Sequence, residues 1–112
     1  MSTSTTACFY LQFLRVTGLD PAGPLFERTT EEVRIDRSDC PFVDIIHTNG
    51  GNEDNGFLGI NADVGHADYF PNGGHKQPKC NNNFYCAHIH GLKYLLVAPP
   101  NIIYKSAILK PN

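Results

Sequence analysis

No stretch of this 112-residue sequence approaches the roughly 18 consecutive apolar residues that span a bilayer, so no transmembrane helix is expected. Basic charge is not in excess either: the formal net charge is −2 at neutral pH, which leaves no electrostatic footprint for a nucleic acid partner. The opening residues 1–14 have neither a basic leader nor a small-residue cleavage site, and so do not read as a signal peptide. There is no internal repeat. Charge is sparse at 18% against 41% hydrophobic residues, a balance that suits a folded chain and argues against disorder. A chain of this length buries a modest core in one domain at most. Its four cysteines leave the redox compartment open until their spacing is read.

What is present is a series of short apolar runs cut by turn signals. Residues 1–6 (MSTSTT) are polar and low in complexity. A first strand is expected between Phe9 and Leu19, where an apolar run leads into Val16, Thr17 and Leu19. Gly18 and Pro21 punctuate it, so Asp20 falls where a strand gives way to a turn. Two readings of Asp20 stand. One is a carboxylate delivered beyond the carboxyl end of a strand, where open α/β sheets gather reacting groups; the other is an Asx-turn capping its own loop. After Gly23 and Pro24 comes a charged segment, 31–39 (EEVRIDRSD), which by itself reads as a solvated loop. Phe42 to His47 is rich in β-branched residues and reads as a second buried strand, ended by Asn49-Gly50-Gly51. His66 to Phe70 is a third, closed by Pro71-Asn72-Gly73-Gly74. His88 to Val97 is expected to be helical with Leu92, Leu95 and Leu96 inward, weakened by Gly91 and ended by Pro99-Pro100. The apolar tail 102–109 carries no assignment. Asp44 and His47 read as strand-end and core polar groups, and His66 and Asp68 as partners of loop backbone.

Taken in order, GLDPAGPLF at 18–26, VRIDRSD at 33–39, FVDIIHT at 42–48, GHADYFPNGG at 65–74 and CAH at 86–88 resemble the secreted animal lipase family. That family includes pancreatic-type triacylglycerol lipases, phospholipases A1 and their insect relatives. The resemblance runs from Val16 to Tyr94 and corresponds to the later part of the family's catalytic domain. It implies an α/β chain, a partial α/β-hydrolase fold built from the later strands of a mostly parallel sheet and a final helix. Residues 1–15 then form a poorly matching extension, and residues 16–112 the C-terminal part of the domain. By the same resemblance Asp20 is the acid and His88 the base of a Ser-Asp-His triad that hydrolyses lipid esters, phospholipid or triacylglycerol. Glu31, Arg34 through its carbonyl, Asp36 and Asp39 stand where the family holds a structural Ca²⁺, oxygen donors of the kind a hard cation takes. No cofactor is implied for the chemistry.

Cys80 and Cys86 stand where the family bridges the base of its lid, and a disulfide there contributes about 2 kcal/mol by loop entropy. Cys8 and Cys40 are expected to stay unpaired. The five residues between Cys80 and Cys86 are too few for the long lid of digestive lipases and resemble the short lid of phospholipase A1-like and insect members. Secretion and peripheral contact with a lipid surface follow from the same resemblance. Two departures bear on His88: Ala87 replaces a small polar residue, and His90-Gly91 replaces an arginine followed by a small residue, so the helix carrying His88 is expected to be held differently.

The nucleophile is missing. The serines are Ser2, Ser4, Ser38 and Ser106, and none sits in a Gly-x-Ser-x-Gly elbow. In α/β-hydrolases the serine precedes the acid, which places it, with the oxyanion donors, in an N-terminal half expected outside this chain. The chain alone is expected to be inert on esters and prone to self-association through a strand edge at Phe9 to Leu19. Two readings from other classes use the same residues. Cys80, Cys86, His88 and His90 spell C-x5-C-x-H-x-H, with His75 and His66 in reserve, a possible set of Zn²⁺ ligands. A lipase-fold binding or storage protein, like the insect yolk proteins, needs no serine at all.

Overall fold

A computed structural model of the chain describes residues 14–30, 33–96 and 104–109. Four strands, β1 (Arg15–Leu19), β2 (Phe42–Ile46), β3 (Ala67–Pro71) and β4 (Tyr104–Leu109), form one sheet in the order β1-β2-β3-β4. The first three run parallel, with Val16 opposite Val43 and Asp44 opposite Ala67, and β4 closes the row antiparallel to β3. Two short helices, α1 (Phe84–Ile89) and α2 (Gly91–Leu96), follow β3. None of the described helices is long and apolar enough to cross a membrane.

The sheet is held from β2. Side chains alternate between faces along a strand, and on one face Val43 and Ile45, both fully buried, pack with Cys40, Ile60 and Val64 against Val16 and Ile35. Backbone closeness on that face demands glycine at position 18, where a Cβ would lie 2.8 Å from Ile45 Cδ1. The opposite face carries a polar lock instead. Asp44 accepts from Thr17 Oγ1 at 2.6 Å, its register partner, and from the Arg15 guanidinium at 2.5 Å, while that guanidinium lies 5.6 Å from the Phe42 ring centre. Asp44 is thus a structural group in the middle of the sheet.

The first strand, Arg15–Leu19, falls within the expected span, and the part of that span from Phe9 to Phe13 lies outside the described residues. Three features differ from the sequence expectations. The expected single helix from His88 is two, because Asn83 caps a helix that starts at Phe84 and the chain breaks again before Gly91. An added Cβ at Gly91 would lie 3.2 Å from Leu19 Cβ, so the break sits directly on the end of β1. With the break, the inward face shifts: Leu92 is 53% exposed and Tyr94 is buried at 6%. The unassigned tail contains β4, a strand made by its pairing with β3 rather than by any alternating pattern of its own. Finally, Cys40 is disulfide-bonded, contrary to the expected free thiol, with its partner outside the described residues, as is Cys8.

Because Ile45 is fully buried at the centre of this packing, Ile45→Ala should destabilise the chain by about 3 kcal/mol through lost transfer energy and a residual cavity. Urea denaturation with an unchanged m-value checks this.

Candidate active site

Loops leaving the carboxyl ends of the three parallel strands converge, and Asp20 stands at the first of them. Its backbone N–H still extends the sheet, donating to Ile46 O at 2.7 Å, but its φ of 45° turns the chain into the left-handed region, which aspartate tolerates better than most residues. The carboxylate is 1% exposed. Its Oδ1 accepts from the backbone N–H groups of Thr48 and Asn49, both at 2.9 Å, and its Oδ2 meets His88 Nδ1 at 2.5 Å. Every partner belongs to another segment, so the Asx-turn reading does not describe this residue. Burial pushes the Asp20 carboxyl above the ordinary carboxylate range, opposed by the hydrogen bonds from Asn49, His88 and Thr48 that favour its ionised form.

His88 lies in the last turn of α1, with its side chain 27% exposed. A bond at Nδ1 to a carboxylate places the proton there and leaves Nε2 as the free base on the other side of the ring. The helix beneath it is pinned three ways. Asn83 Oδ1 accepts from Cys86 N–H at 2.9 Å, Cys80 and Cys86 are joined by a disulfide with Cα atoms 5.5 Å apart, and Thr48 Oγ1 reaches His88 O at 3.4 Å. The chemistry of this arrangement is that of an oriented imidazole: a general base whose tautomer is set by a buried acid.

The other candidates fall elsewhere. Three of the zinc set, Cys80, Cys86 and His90, have ligand atoms within 4.8 Å of one another, with His90 Nδ1 3.7 Å from Cys80 Sγ, but Cys80 and Cys86 spend their sulfurs on each other and His88 turns to Asp20. His66 Nδ1 accepts from Val43 N–H at 2.9 Å, and His75 Nδ1 meets Gly50 O. His47 is fully buried, bonded to Ile60 O at 2.9 Å and to Asp68 Oδ1 at 2.8 Å and stacked on Phe70. Asp68 also takes the N–H groups of Val64 and Gly65, as its loop-backbone reading requires. Of the calcium set, Asp36 and Asp39 are tied into one turn by a capping box, in which Asp39 Oδ2 accepts from Asp36 N–H at 2.9 Å and Asp36 Oδ2 from Ser38 N–H at 3.3 Å. Arg34 donates through Nε to Thr29 O at 3.3 Å, and its guanidinium stands 3.8 Å from Asp36 Oδ1; Glu31 lies outside the described residues.

Sequence reasoning missed the groups that hold Asp20. Thr48 and Asn49 act through backbone N–H, and the only signal was that Asn49-Gly50-Gly51 ends a strand. Nothing in the sequence singles out Gly59, yet a Cβ there would lie 2.3 Å from Asp20 Oδ1. Gly59→Ala should therefore displace the carboxylate from His88 without altering either residue, at a stability cost of about 1–3 kcal/mol. Loss of the downfield His88 Nδ1–H proton signal in a variant that remains folded checks this.

Among known proteins, the lipase family model matches residues 4–96. Pancreatic lipase-related protein 2 of Cavia porcellus is 46% identical over 100 residues, covering 88% of this chain and 21% of that protein. The Bos taurus protein of the same name is 40% identical over 117 residues, covering 88% of the chain and 23% of its own length. Pancreatic triacylglycerol lipase of Mus musculus is 54% identical over 71 residues, 62% of the chain and 15% of that protein. The chain thus spans less than a quarter of the length of these relatives. On a family match of that extent the chain belongs to the lipase family, whose fold is the α/β-hydrolase.

Proposed function

We propose that this chain supplies the acid and the base of a secreted, serine-type carboxylic-ester hydrolase acting on lipid esters. The observation that carries the reading is the 2.5 Å bond between His88 Nδ1 and the buried Asp20 carboxylate in a chain of the lipase family. In this mechanism Nε2 of His88 takes the proton of a serine hydroxyl as it attacks the ester carbonyl, then returns it to the leaving alcohol. Asp20 fixes the tautomer and stabilises the imidazolium that forms in between. Relatives named as triacylglycerol lipases and pancreatic lipase-related proteins support a lipid ester as substrate.

The nucleophile and its oxyanion donors come, in this reading, from sequence outside the chain. Ser38 lies in the turn of residues 37–39 just before β2, at the amino end of the parallel strands, whereas Asp20 and His88 meet at the carboxyl end. Five residues of β2 separate those ends, about 16 Å at 3.3 Å per residue, and Ser38 cannot reach the imidazole.

A structural Ca²⁺ belongs to the same reading. Asp36 and Asp39 are held in one turn, Asp39 is 1% exposed, and together with the Arg34 carbonyl they are oxygen donors that suit a hard cation. Such an ion would neutralise carboxylates ahead of β2 and take no part in the proton transfers. Millimolar Ca²⁺ should raise the melting temperature, and Asp36→Asn should abolish the rise. An equal rise in the variant returns the segment to a solvated turn.

Hydrolysis of a nitrophenyl ester tests the main reading. The 112-residue chain alone should be inert, and joined to an upstream segment bearing a Gly-x-Ser-x-Gly strand, turn and helix it should turn over, with His88→Ala costing about 10⁴-fold. A joined, folded and inert protein would favour a lipase-fold binding or storage role.

Asp20→Asn separates catalysis from stability. An asparagine can still accept from Thr48 and Asn49 but presents an N–H to His88 and selects the wrong tautomer, so kcat should fall about 10⁴-fold. Stability should move the other way. Because the folded state holds the Asp20 carboxyl above its ordinary range, the folded chain binds that proton more tightly than the unfolded one, and the wild type loses stability as pH rises through the ordinary carboxylate range toward the raised value. The variant has no such proton to lose. Its melting temperature relative to wild type should therefore climb over that window, which paired thermal melts between acid and neutral pH measure.

A further inference from the structure

We infer that Gln77 is a positioning residue for the acid of the dyad, acting on Asp20 through the single peptide plane between Thr48 and Asn49; this rests on the function proposed above. The peptide bond is planar and trans, so the carbonyl of Thr48 and the N–H of Asn49 point in opposite directions from one rigid unit. On one side of that plane Asn49 N–H donates to Asp20 Oδ1 at 2.9 Å; on the other, Gln77 Nε2 donates to Thr48 O at 2.9 Å. Whatever holds the carbonyl aims the N–H. A rotation of this unit would turn an oxygen toward the Asp20 carboxylate and replace an attraction with a repulsion.

Gln77 is suited to the task because all four of its hydrogen-bonding capacities are used and it is only 5% exposed. Its second Nε2 proton goes to Pro71 O at 3.0 Å, so the amide bridges the carboxyl ends of β2 and β3 just where their backbone ladder ends. Its Oε1 accepts from Tyr94 Oη at 2.5 Å and from Asn72 Nδ2 at 3.0 Å, and Asn72 Nδ2 also reaches Tyr94 Oη at 2.9 Å. Tyr94 belongs to α2, which follows the helix of His88 after the break that rests on Leu19. One side chain therefore ties the peptide that cradles the acid to the helix pair that carries the base. In a buried network each bond polarises the next, so the chain from Tyr94 through Gln77 and the peptide to Asp20 is cooperative. No sequence pattern marks Gln77, a polar residue in a loop between Lys76 and Pro78.

Three variants divide the network. Tyr94→Phe removes only the hydroxyl, and Gln77→Met keeps the side-chain length while deleting all four bonds; Gln77→Glu retains the acceptors for Tyr94 and Asn72 but loses the donors for the two carbonyls. The readouts are the His88 Nδ1–H proton resonance and the exchange rate of the Asn49 N–H in the 112-residue chain, and the split of kcat from KM in the chain joined to an upstream nucleophile. Gln77→Met and Gln77→Glu should both speed Asn49 N–H exchange and weaken the His88 signal, with kcat down about tenfold at unchanged KM, since a misplaced general base costs rate rather than binding. Tyr94→Phe should give a smaller effect in the same direction that disappears in the Gln77→Met background. Variants that lower the melting temperature while leaving the His88 signal, the Asn49 exchange and kcat at parent values make Gln77 an ordinary structural residue and overturn the inference. If Gln77→Met does not fold, an unchanged His88 signal and Asn49 exchange in Tyr94→Phe and Gln77→Glu overturns it equally. An inert joined parent whose His88 signal still responds to Gln77 defeats the esterase reading and leaves the positioning role standing.

Discussion

A carboxylate buried at the end of β1 is the constraint around which this chain is arranged. Taking Asp20 out of water is costly, and the cost is offset only where N–H donors are already aimed at the vacated hydration sites. The chain supplies them from two directions: the backbone turn after β2 on Oδ1, and an imidazole from α1 on Oδ2. Each donor must itself be fixed. The turn is held by Asn49, whose side chain accepts from Leu58 N–H at 3.0 Å and donates to His75 O at 2.8 Å, and by Gln77 beyond it. The imidazole is held by a short helix that a cap, a disulfide and a glycine contact press onto the end of β1.

The two ends of the parallel sheet divide the labour. Toward the interior, Val43 and Ile45 anchor β2 by burial, and Arg15 with Asp44 locks β1 against it on the opposite face. At the carboxyl end the backbone pairs run out, and buried side-chain amides and imidazoles take over. His47 links Ile60 to Asp68, and Gln77 links Thr48 to Pro71. That polar layer is where a base can be both oriented and reached, because His88 alone of the Asp20 contacts has its side chain partly in solvent.

In the proposed triad the acid and base act as a unit, and Asp20 and His88 are already paired in this chain. The relatives it matches are four or more times longer, and the proposal assigns the attacking hydroxyl and the oxyanion donors to the rest of such a protein.

By itself the sequence determined three strands and the turn at Asp20, which depend on local apolar runs and glycine and proline punctuation, and the motifs that carry the family resemblance, which in turn implied the parallel sheet and the bridge between Cys80 and Cys86. It could not show which groups surround Asp20. Thr48 and Asn49 contribute backbone N–H, which every residue but proline carries and no motif advertises, and Gly59 matters for the side chain it does not have. It also misplaced the inward face of the last helices, because the break before Gly91 is imposed by contact with Leu19 and turns Leu92 outward in favour of Tyr94. Nothing in the sequence shows that Cys40 is bonded, or that pairing with β3 makes a strand of the tail. In each case the deciding partner lies far off in sequence, and only the closing of the chain on itself brings it within hydrogen-bond or van der Waals reach.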